Sequence, residues 1–361
     1  FLSMQLEKAE APLKFASTQS SFLVKGWIPT DDLQKSIERL NKSSKNMAFV
    51  HFEPAKKHDK VPVKLKNPKI AKPFEFFMEL YTMPTYKEID PTSIMFLTYP
   101  LLFGFMLGDI GYGLTTLVLF MILKRLMPKA RNFFNILVFA SISTIFFGFL
   151  FGEFFGFEEI GSLHLPHLLS RAHDVNKLLY LAVAVGVFHI NLGFLIGFVN
   201  EFKSHGFITA INTKGSWFIL EAGVVLTALS ALKIITLPTY IGILTLIASA
   251  VMLYKGEGIR GLIEIPSIFS NTLSYARLMA IGLSSVVLAV IVNDSAKEFF
   301  HQGGFLVLAG VLILVIGHIV NIMLGLLGSF LHSLRLHYVE FFTKFFHGGA
   351  KKYQPFGMRE D

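Results

Sequence analysis

From residue 92 onward, apolar residues run in stretches long enough to cross a lipid bilayer, and short polar loops separate them. The stretches lie near 92–126, 133–156, 178–200, 214–232, 238–254, 265–293 and 304–346. Runs of about 18 or more predominantly apolar residues are typical of transmembrane helices. The pattern therefore predicts a mainly α-helical, polytopic membrane protein.

The first and the last two stretches depart from the ordinary length of a span. The stretch 92–126 is too long for a single crossing of a hydrocarbon core about 30 Å thick. Gly108-Asp109-Ile110-Gly111-Tyr112-Gly113 lies at its middle and predicts a break. A break there gives eight transmembrane helices. The last two exceed a normal span, so we expect them to be strongly tilted or to project beyond the bilayer.

The first 91 residues have a different, polar character. Alternation at Ser20–Ile28 and at Met47–Phe52 predicts two strands, and Asp31–Asn41 a helix capped by Thr30. Residues 61–91 form a linker rich in Pro and Lys, whose amphipathic segment Pro73–Tyr81 is predicted to lie at the membrane surface. The predicted organisation is α+β structure over 1–60, the linker over 61–91, the eight-helix domain over 92–350 and a C-terminal tail over 351–361.

Composition narrows the possible functions. The chain is 53% hydrophobic and 16% charged and has no cysteine, which excludes disulfides and thiolate metal sites. The net charge of +8 does not indicate nucleic-acid binding, because 15 of the 33 Lys and Arg precede residue 92, where 11 acids accompany them. The chain begins Phe-Leu-Ser-Met, with neither an initiator Met nor a signal peptide. We therefore expect a fragment of a longer protein.

The loops indicate how the chain crosses the membrane. With eight helices, the side that holds both termini has 12 Lys and Arg beyond residue 92, and the opposite side has 4. The positive-inside rule then places both termini in the cytoplasm. We expect a multi-pass protein of the cell membrane.

The last two stretches each carry an arginine near the middle, Arg277 and Arg335. A charged side chain at bilayer depth costs at least about 2.5 kcal/mol, so it needs a partner or water. Each arginine belongs to a polar stripe with steps of three or four residues, which trace one helix face. The stripes of polar and small residues are Ser267, Ser270, Ser274, Arg277, Ile281 and Ser284 in the first of these stretches, broken only by Ile281, and His318, Asn321, Gly325, Gly328, His332 and Arg335 in the second.

The other polar residues fall into two groups on either side of the arginines. With the predicted topology, the outer group is Asp109, Glu153, His318 and Asn321, and the cytoplasmic group is Glu264, Ser267, Ser270 and Asn271. This arrangement predicts two offset half-channels that meet at a positive barrier.

Structural roles compete for several of these residues. Asp109 could simply cap the helix that follows it, and Glu153 and Glu264 could be interfacial carboxylates in water. Three further polar residues, His189, Asn191 and Glu221, are predicted to be interhelical hydrogen-bond partners rather than channel residues. Glycines on the last helix are expected to be close-packing positions.

Four motifs resemble a known family. They are Ser-Tyr-Ala-Arg-Leu at 274–278, Leu-His-Ser-Leu-Arg-Leu-His-Tyr-Val-Glu-Phe at 331–341, Phe-Gly-Phe-Met-Leu-Gly-Asp-Ile-Gly-Tyr-Gly at 103–113 and Val-Lys-Gly-Trp-Ile-Pro at 24–29. Together, and in the order in which they occur along the chain, they resemble the a subunit of V-type ATPases and, more closely, subunit I of archaeal and bacterial A/V-type ATP synthases. The resemblance extends over nearly the whole chain, and makes 1–60 the end of a cytoplasmic N-terminal arm domain.

The resemblance implies a stator subunit that couples proton or sodium translocation to rotation of a proteolipid c/K ring. It implies that Arg277 faces the ring carboxylates, that Arg335 and His332 assist it, and that Asp109 and Glu153 belong to the outer half-channel. The chain departs from the eukaryotic pattern at Gly325 and Ile263, where relatives carry acids; His318 and Asn321 are expected to serve the outer route instead, with Glu264 the inner one.

The implied partners are the proteolipid ring, peripheral-stalk subunits E and G, the central-stalk side of the V1/A1 sector and the lipid bilayer. No nucleic acid and no cofactor are implied, and ATP chemistry is expected on other subunits, since the sequence has no Gly-x-x-x-x-Gly-Lys-Ser/Thr loop. A secondary ion-coupled transporter is the main alternative, but it predicts two homologous halves, and the arginine-bearing helices have no counterpart in the first half. A structural scaffold gives no account of the arginines.

Overall fold

The computed structural model describes residues 5–6, 9–56, 59–160 and 163–355, so the end of the predicted tail, 356–361, lies outside the described residues. Contacts divide the chain into a smaller unit of residues 1–66, 78–88 and 348–361 and a larger unit of residues 67–77 and 89–347. The α-helices of seven residues or more are α1 Leu33–Ser43, α2 Glu75–Tyr81, α3 Thr92–Leu107, α4 Ile110–Leu126, α5 Arg131–Phe151, α6 Val175–His205, α7 Ser216–Ala231, α8 Thr239–Glu257, α9 Ile259–Leu273, α10 Ala276–Gln302 and α11 Leu306–Arg335. Two antiparallel strand pairs are β1 Ala16–Ser17 with β2 Phe22–Leu23, and β3 Glu159–Ile160 with β4 Leu163–His164.

The smaller unit confirms the predicted helix but not the predicted strands. Helix α1 follows a 3-10 turn at Thr30–Asp32, and the Thr30 side chain makes no capping hydrogen bond, so the predicted cap is wrong. Only Phe22–Leu23 of the first predicted strand is paired, and Met47–Phe52 forms no strand in the described structure. Phe22 and Phe49 are both exposed, so alternation here produces no buried face to which a sheet could be attached.

The larger unit has a helix at each of the eight predicted positions. The predicted break is confirmed, because α3 ends at Leu107 and α4 begins at Ile110. In the part of the chain that the structure describes, five helical stretches are long and apolar enough to cross a membrane: Pro128–Phe151, Val175–His205, Thr239–Glu257, Ile259–Gln302 and Leu306–Lys344. Helices α3, α4 and α7 have only 16, 17 and 16 residues. The structure therefore supports a multi-pass protein, while the crossing by all eight helices and the tilt of the last two stay predictions.

The seventh predicted helix is present, but a tightened turn at Ser274–Tyr275, called the kink below, divides it into α9 and α10. Ser274 and Tyr275 separate α9 from α10, and the backbone N–H groups of Arg277 and Leu278 donate to carbonyls only three residues earlier. Such bonds tighten a helical turn. The Tyr275 side chain is completely buried at this point. The stripe that leads to Arg277 therefore passes through a tightened turn directly before the arginine.

Close packing holds the long helices together. A Cβ atom on Gly325 of α11 would lie 2.5 Å from Leu107, and one on Gly317 would lie 2.6 Å from Val292 of α10. These contacts are closer than Cβ atoms normally make, which confirms the close-packing role expected for Gly317 and Gly325; at Gly328 the nearest atom would lie at 3.6 Å, an ordinary contact. The linker segment also packs inward: Phe74 and Phe77 are fully buried and contact Tyr99 of α3. The position of this segment at a membrane surface stays a prediction.

Candidate ion-translocation site

Asp109 is a buried anchor between α4 and the loop that follows α5. Its Oδ1 accepts hydrogen bonds from the backbone N–H of Tyr112 (2.9 Å) and of Phe155 (3.0 Å), and its Oδ2 accepts one from the N–H of Gly156 (2.8 Å). The first of these is an N-cap of α4. The capping role that the sequence left open is thus confirmed, and the same carboxylate also fixes the loop at residues 155–156.

A hydrogen-bonded chain of buried side chains begins beside this anchor. Asn321 Nδ2 donates to Tyr112 Oη (2.8 Å), which in turn bonds His318 Nδ1 (2.8 Å). His318 Nε2 bonds Asn293 Oδ1 (3.0 Å), and Asn293 Nδ2 donates to the carbonyl of Phe155 (2.9 Å). Because an amide oxygen only accepts, the proton lies on Nε2 of neutral His318, and Nδ1 accepts from Tyr112. All these bonds then run in one direction across α4, α10 and α11.

Glu153 forms a buried ion pair with Arg171. Arg171 Nε donates to Glu153 Oε1 (2.9 Å), and Arg171 Nη2 pairs with Glu153 Oε2. Arg171 also donates to the carbonyl of Met106 and covers the ring of Phe151. The carboxylate is therefore fully partnered by protein, in contrast to an interfacial carboxylate in water. The backbone carbonyl of Glu153 accepts from the N–H of Ile110, which places it next to the Asp109 anchor.

Arg277 lies just after the kink and is only partly buried. Its Nη1 lies 3.7 Å from Glu340 Oε1, which makes an ion pair without a hydrogen bond. Arg277 Nη1 and Glu340 Oε2 are both buried and have no hydrogen-bond partner in the described structure. The positive charge near the middle of this stretch is thus held by one acid from the segment after α11, and part of its hydrogen-bonding capacity is free.

His332 and Arg335 complete the positive region. Arg335 is exposed, and His332 is half-buried with an unpartnered Nδ1. Arg277 and Arg335 both lie close enough to His332 for their charges to act on it. Directly after Arg335, the helix changes to a π-helical turn, Leu336–Phe341, which contains Glu340. Such turns are frequent at functional sites.

The cytoplasmic group lies along α9, before the kink. Glu264 pairs with Arg260 through a 2.9 Å contact, and the Ser267 hydroxyl donates to the carbonyl of Glu264. Ser270 is exposed, and Asn271 is half-buried. Glu264 also lines a cavity of about 620 Å³, whose charged wall is formed by Glu201, Lys214, Glu257, Arg260, Glu264 and Lys344.

The structure brings most of the predicted residues together and adds partners that the sequence did not identify. Asp109, His318 and Asn321 meet through Tyr112, and Glu153 lies beside them. Sequence reasoning missed Asn293, Arg171 and Glu340. Asn293 and Glu340 are polar residues within otherwise apolar stretches, a signal that could have drawn attention to them; Arg171 was counted only as a loop charge. The predicted hydrogen bonds of the three interhelical residues are confirmed: His189 Nδ1 bonds Tyr275 Oη at 2.7 Å, and Asn191 Nδ2 donates to Glu221 at 2.7 Å.

Comparisons with known proteins agree with the motifs. The V-type ATPase 116kDa subunit family matches residues 11–160 and 265–358, and the second of these ranges contains both arginines. The chain is 34% identical over 95% of its length to the A-type ATP synthase subunit I of Pyrococcus horikoshii, and the match covers 55% of that protein. It is 33% identical over 98% of its length to the protein of the same name from Methanocaldococcus jannaschii (58% covered), and 26% identical over 94% to the V-type ATP synthase subunit I of Borreliella burgdorferi (60% covered).

The chain thus spans a little more than half the length of these curated relatives. Family identity rests on a match to more than half of the chain, and that match includes the segments that hold Asp109, Arg277, Glu340 and Arg335. The chain belongs to the V-type ATPase 116kDa subunit family.

Proposed function

We propose that this chain is the membrane stator subunit of a rotary A/V-type ATP synthase or ATPase, and that it supplies the half-channels through which ions reach a rotating proteolipid ring. The observation that carries the proposal is Arg277, a partly buried charge inside a membrane-length stretch, with a single acid at 3.7 Å and no hydrogen bond to it. A structural ion pair at such depth normally has its donors satisfied. Arg277 is held loosely enough to exchange its partner.

The chemistry of the arginine follows from electrostatics. A ring carboxylate that passes through lipid must be neutral, because an unpaired charge there is prohibitively costly. Beside Arg277 the ionised carboxylate is favoured, so the proton leaves on one side of the arginine and is replaced on the other. The fixed charge also repels a cation that would pass directly between the two half-channels. Ion flow is thereby coupled to rotation.

The outer half-channel in this proposal contains the Tyr112–His318 pair and Asn321, with Glu153 at its side. Tyr112 and His318 are a donor and an acceptor that can pass a proton by reversing their hydrogen bond. Asp109 holds this path in place through its three backbone bonds. The cytoplasmic half-channel contains Glu264, Ser267, Ser270 and Asn271 and opens into the cavity beside Glu264. Arg335 and His332 lie next to Arg277 and adjust the electrostatic potential around it.

The proposed partners are the proteolipid c/K ring, stalk subunits E and G, the subunits on the central-stalk side of the V1/A1 sector and the lipid bilayer. The proposed location is the cell membrane, with both termini in the cytoplasm. These partners supply the ATP chemistry and the moving carboxylates, while this chain supplies a fixed charge and access routes.

The test is ATP-driven ion transport in membrane vesicles that carry the assembled complex. Arg277→Ala should abolish transport, and Arg277→Lys should fail almost as completely, because the compact ammonium group is placed differently and deprotonates more readily when buried. Arg335→Lys should be partly tolerated, since Arg335 is exposed. Arg125→Ala, at an exposed arginine near the end of α4, is the control and should transport normally. Robust transport by assembled Arg277→Ala would refute the proposal.

A further inference from the structure

Glu340 is a buried acid that is held differently from Glu153. Glu153 has both carboxylate oxygens on Arg171. Glu340 is as deeply buried, with 2% of its side chain exposed, but only its Oε1 faces a cation, at 3.7 Å. Its Oε2 is buried and has no hydrogen-bond partner in the described residues. A buried oxygen without a partner costs about 1–3 kcal/mol, and more for a charged group.

The segment that carries Glu340 leads from Arg277 into the charged cavity. The π-helical turn ends at Phe341 and is followed by the 3-10 turn Phe342–Lys344, so Lys344 comes about one turn after Glu340. Lys344 lines the cavity and has 8% of its surface exposed. Its Nζ makes no ion pair or hydrogen bond in the part of the chain that the structure describes, and lies 5.5 Å from the ring of Phe194. The cavity of about 620 Å³ has charged side chains in its wall and is far larger than one water requires.

We infer that Glu340 is the inner proton carrier between the ring site at Arg277 and the cavity, and that the cavity is the water-filled end of the cytoplasmic half-channel. This inference rests on the proposed function and adds a residue and a route to it. It assigns the translocated ion as a proton, because a single carboxylate passes protons but does not form a cation cage. Glu264, which is partly exposed and paired with Arg260, then belongs to the mouth of the cavity rather than to its inner end.

The transfer is an exchange of partners that conserves charge. In the structure Arg277 faces the Glu340 carboxylate. When a protonated ring carboxyl group reaches Arg277, its proton passes to Glu340, so that the ring carboxylate becomes the partner of Arg277 and Glu340 becomes neutral. Neutral Glu340 needs no counter-charge in its buried position. It then releases the proton to water in the cavity and returns to Arg277 once the ring carboxylate has taken a new proton from the outer half-channel and moves on as a neutral group; ATP-driven pumping runs the same steps in reverse. One proton moves, and one negative charge faces the arginine throughout.

The experiment compares Glu340→Gln, Glu340→Asp and the control Glu298→Gln in assembled complexes, by ATP-driven acidification of membrane vesicles. Glu340→Gln keeps the shape but cannot carry a proton, and should slow transport by about a hundredfold, the usual effect of losing a proton-transfer group. Glu340→Asp should retain part of the rate and shift its pH profile toward acid, because aspartate is the stronger acid. Glu298, exposed on α10, should tolerate the change.

The possible outcomes separate this inference from the proposed function. Loss of transport in Arg277→Ala together with normal transport in Glu340→Gln would refute the carrier and leave the stator intact. Normal transport in both would refute both. If Glu340→Gln fails to assemble, an assembled Glu340→Asp complex with an unchanged pH profile would show that the acid is only structural. Transport of sodium instead of protons by the unmodified complex would also overturn the inference.

Discussion

At the scale of single residues, the intramembrane acids have different roles that their types do not distinguish. Asp109 accepts from three backbone amides, Glu153 is locked to Arg171, and Glu340 is half-satisfied beside Arg277. A carboxylate whose acceptors are used by fixed protein donors is part of the framework, whereas one with a free oxygen can change partners. The hydrogen-bond partners of each oxygen therefore separate the acids that the protein holds fixed from the one that is free to change partners.

The anchoring role of Asp109 leads to a stability prediction. Asp109→Ala leaves three buried N–H groups without an acceptor, each costing about 1–3 kcal/mol, so the amount of assembled complex should fall sharply. Asp109→Asn keeps the Oδ1 bonds to Tyr112 and Phe155, but it turns an amide NH2 group toward the N–H of Gly156, so this one donor loses its acceptor and faces another donor. It should assemble and transport at a substantial rate. Thermal stability and transport of the purified complexes check both variants; normal assembly of Asp109→Ala would show that the anchor is dispensable.

The Glu153–Arg171 pair predicts a compensating double mutant. Glu153→Leu alone leaves the buried guanidinium of Arg171 without a counter-charge. Such a change typically lowers stability by about 3–5 kcal/mol, so the amount of assembled complex should fall. Glu153→Leu combined with Arg171→Leu removes both charges and should recover the thermal stability of the complex. If Glu153 also contributes to the outer half-channel, the stable double mutant should transport more slowly than the unmodified complex. Full transport by that double mutant would confine Glu153 to a structural role.

At the scale of elements, the kink between α9 and α10 sets the position of Arg277. Tyr275 fits against α6, where a Cβ atom on Gly186 would lie 2.6 Å from its ring and where His189 bonds its hydroxyl. His189 in turn stacks on Phe341 of the π-helical turn at a centroid distance of 4.2 Å. Gly186 and His189 of α6, which we call the α6 socket, thus contact the turn before Arg277 and the π-helical turn that contains Glu340.

The socket predicts that a single added methyl group disturbs coupling. Gly186→Ala places Cβ against the Tyr275 ring, so Tyr275 and the nearby Arg277 must shift. ATP-driven transport should fall several-fold, although neither residue is changed. Gly215→Ala is the matched control, because its φ of −64° is helical and the nearest atom to a Cβ lies at 3.6 Å. Equal transport by the two variants would show that the socket does not position the arginine.

The elements also show how far the sequence determines this structure. Hydrophobic runs placed the eight helices and the break at Gly108, because burial of apolar surface and satisfaction of backbone bonds act locally along a helix. The contact of Tyr275 with α6 was missed, since its partner His189 lies 86 residues away in the chain. The partners Arg171 and Glu340 were missed for the same reason. Periodicity predicts which face is polar, but it does not predict which side chains from distant helices meet there.

At the scale of the whole molecule, the lengths of the helices allow two membrane topologies. If all eight helices span the membrane, both termini lie on one side. If only the five longest stretches span it, the termini lie on opposite sides. The two arrangements place the loop between α7 and α8 on different sides of the membrane. With eight spans, this loop lies outside with the loops before α6 and after α10. With five spans, it lies on the side opposite the loop before α6.

Single cysteines in this cysteine-free chain decide between them. Ala172, Thr236 and Gln302 are exposed residues in or next to these three loops, and Lys129 is exposed in the loop before α5. We expect a membrane-impermeant thiol reagent, added outside intact cells, to label cysteine at 172, 236 and 302 but not at 129, because the Lys- and Arg-rich loops stay in the cytoplasm. Labelling at 172 alone would indicate five spans, and labelling at 129 alone would reverse the orientation. With eight spans, α9 begins at the cytoplasmic face, so the cavity beside Glu264 opens toward the cytoplasm and the Tyr112–His318 chain lies toward the outside. The fixed charge of Arg277 then separates the two routes.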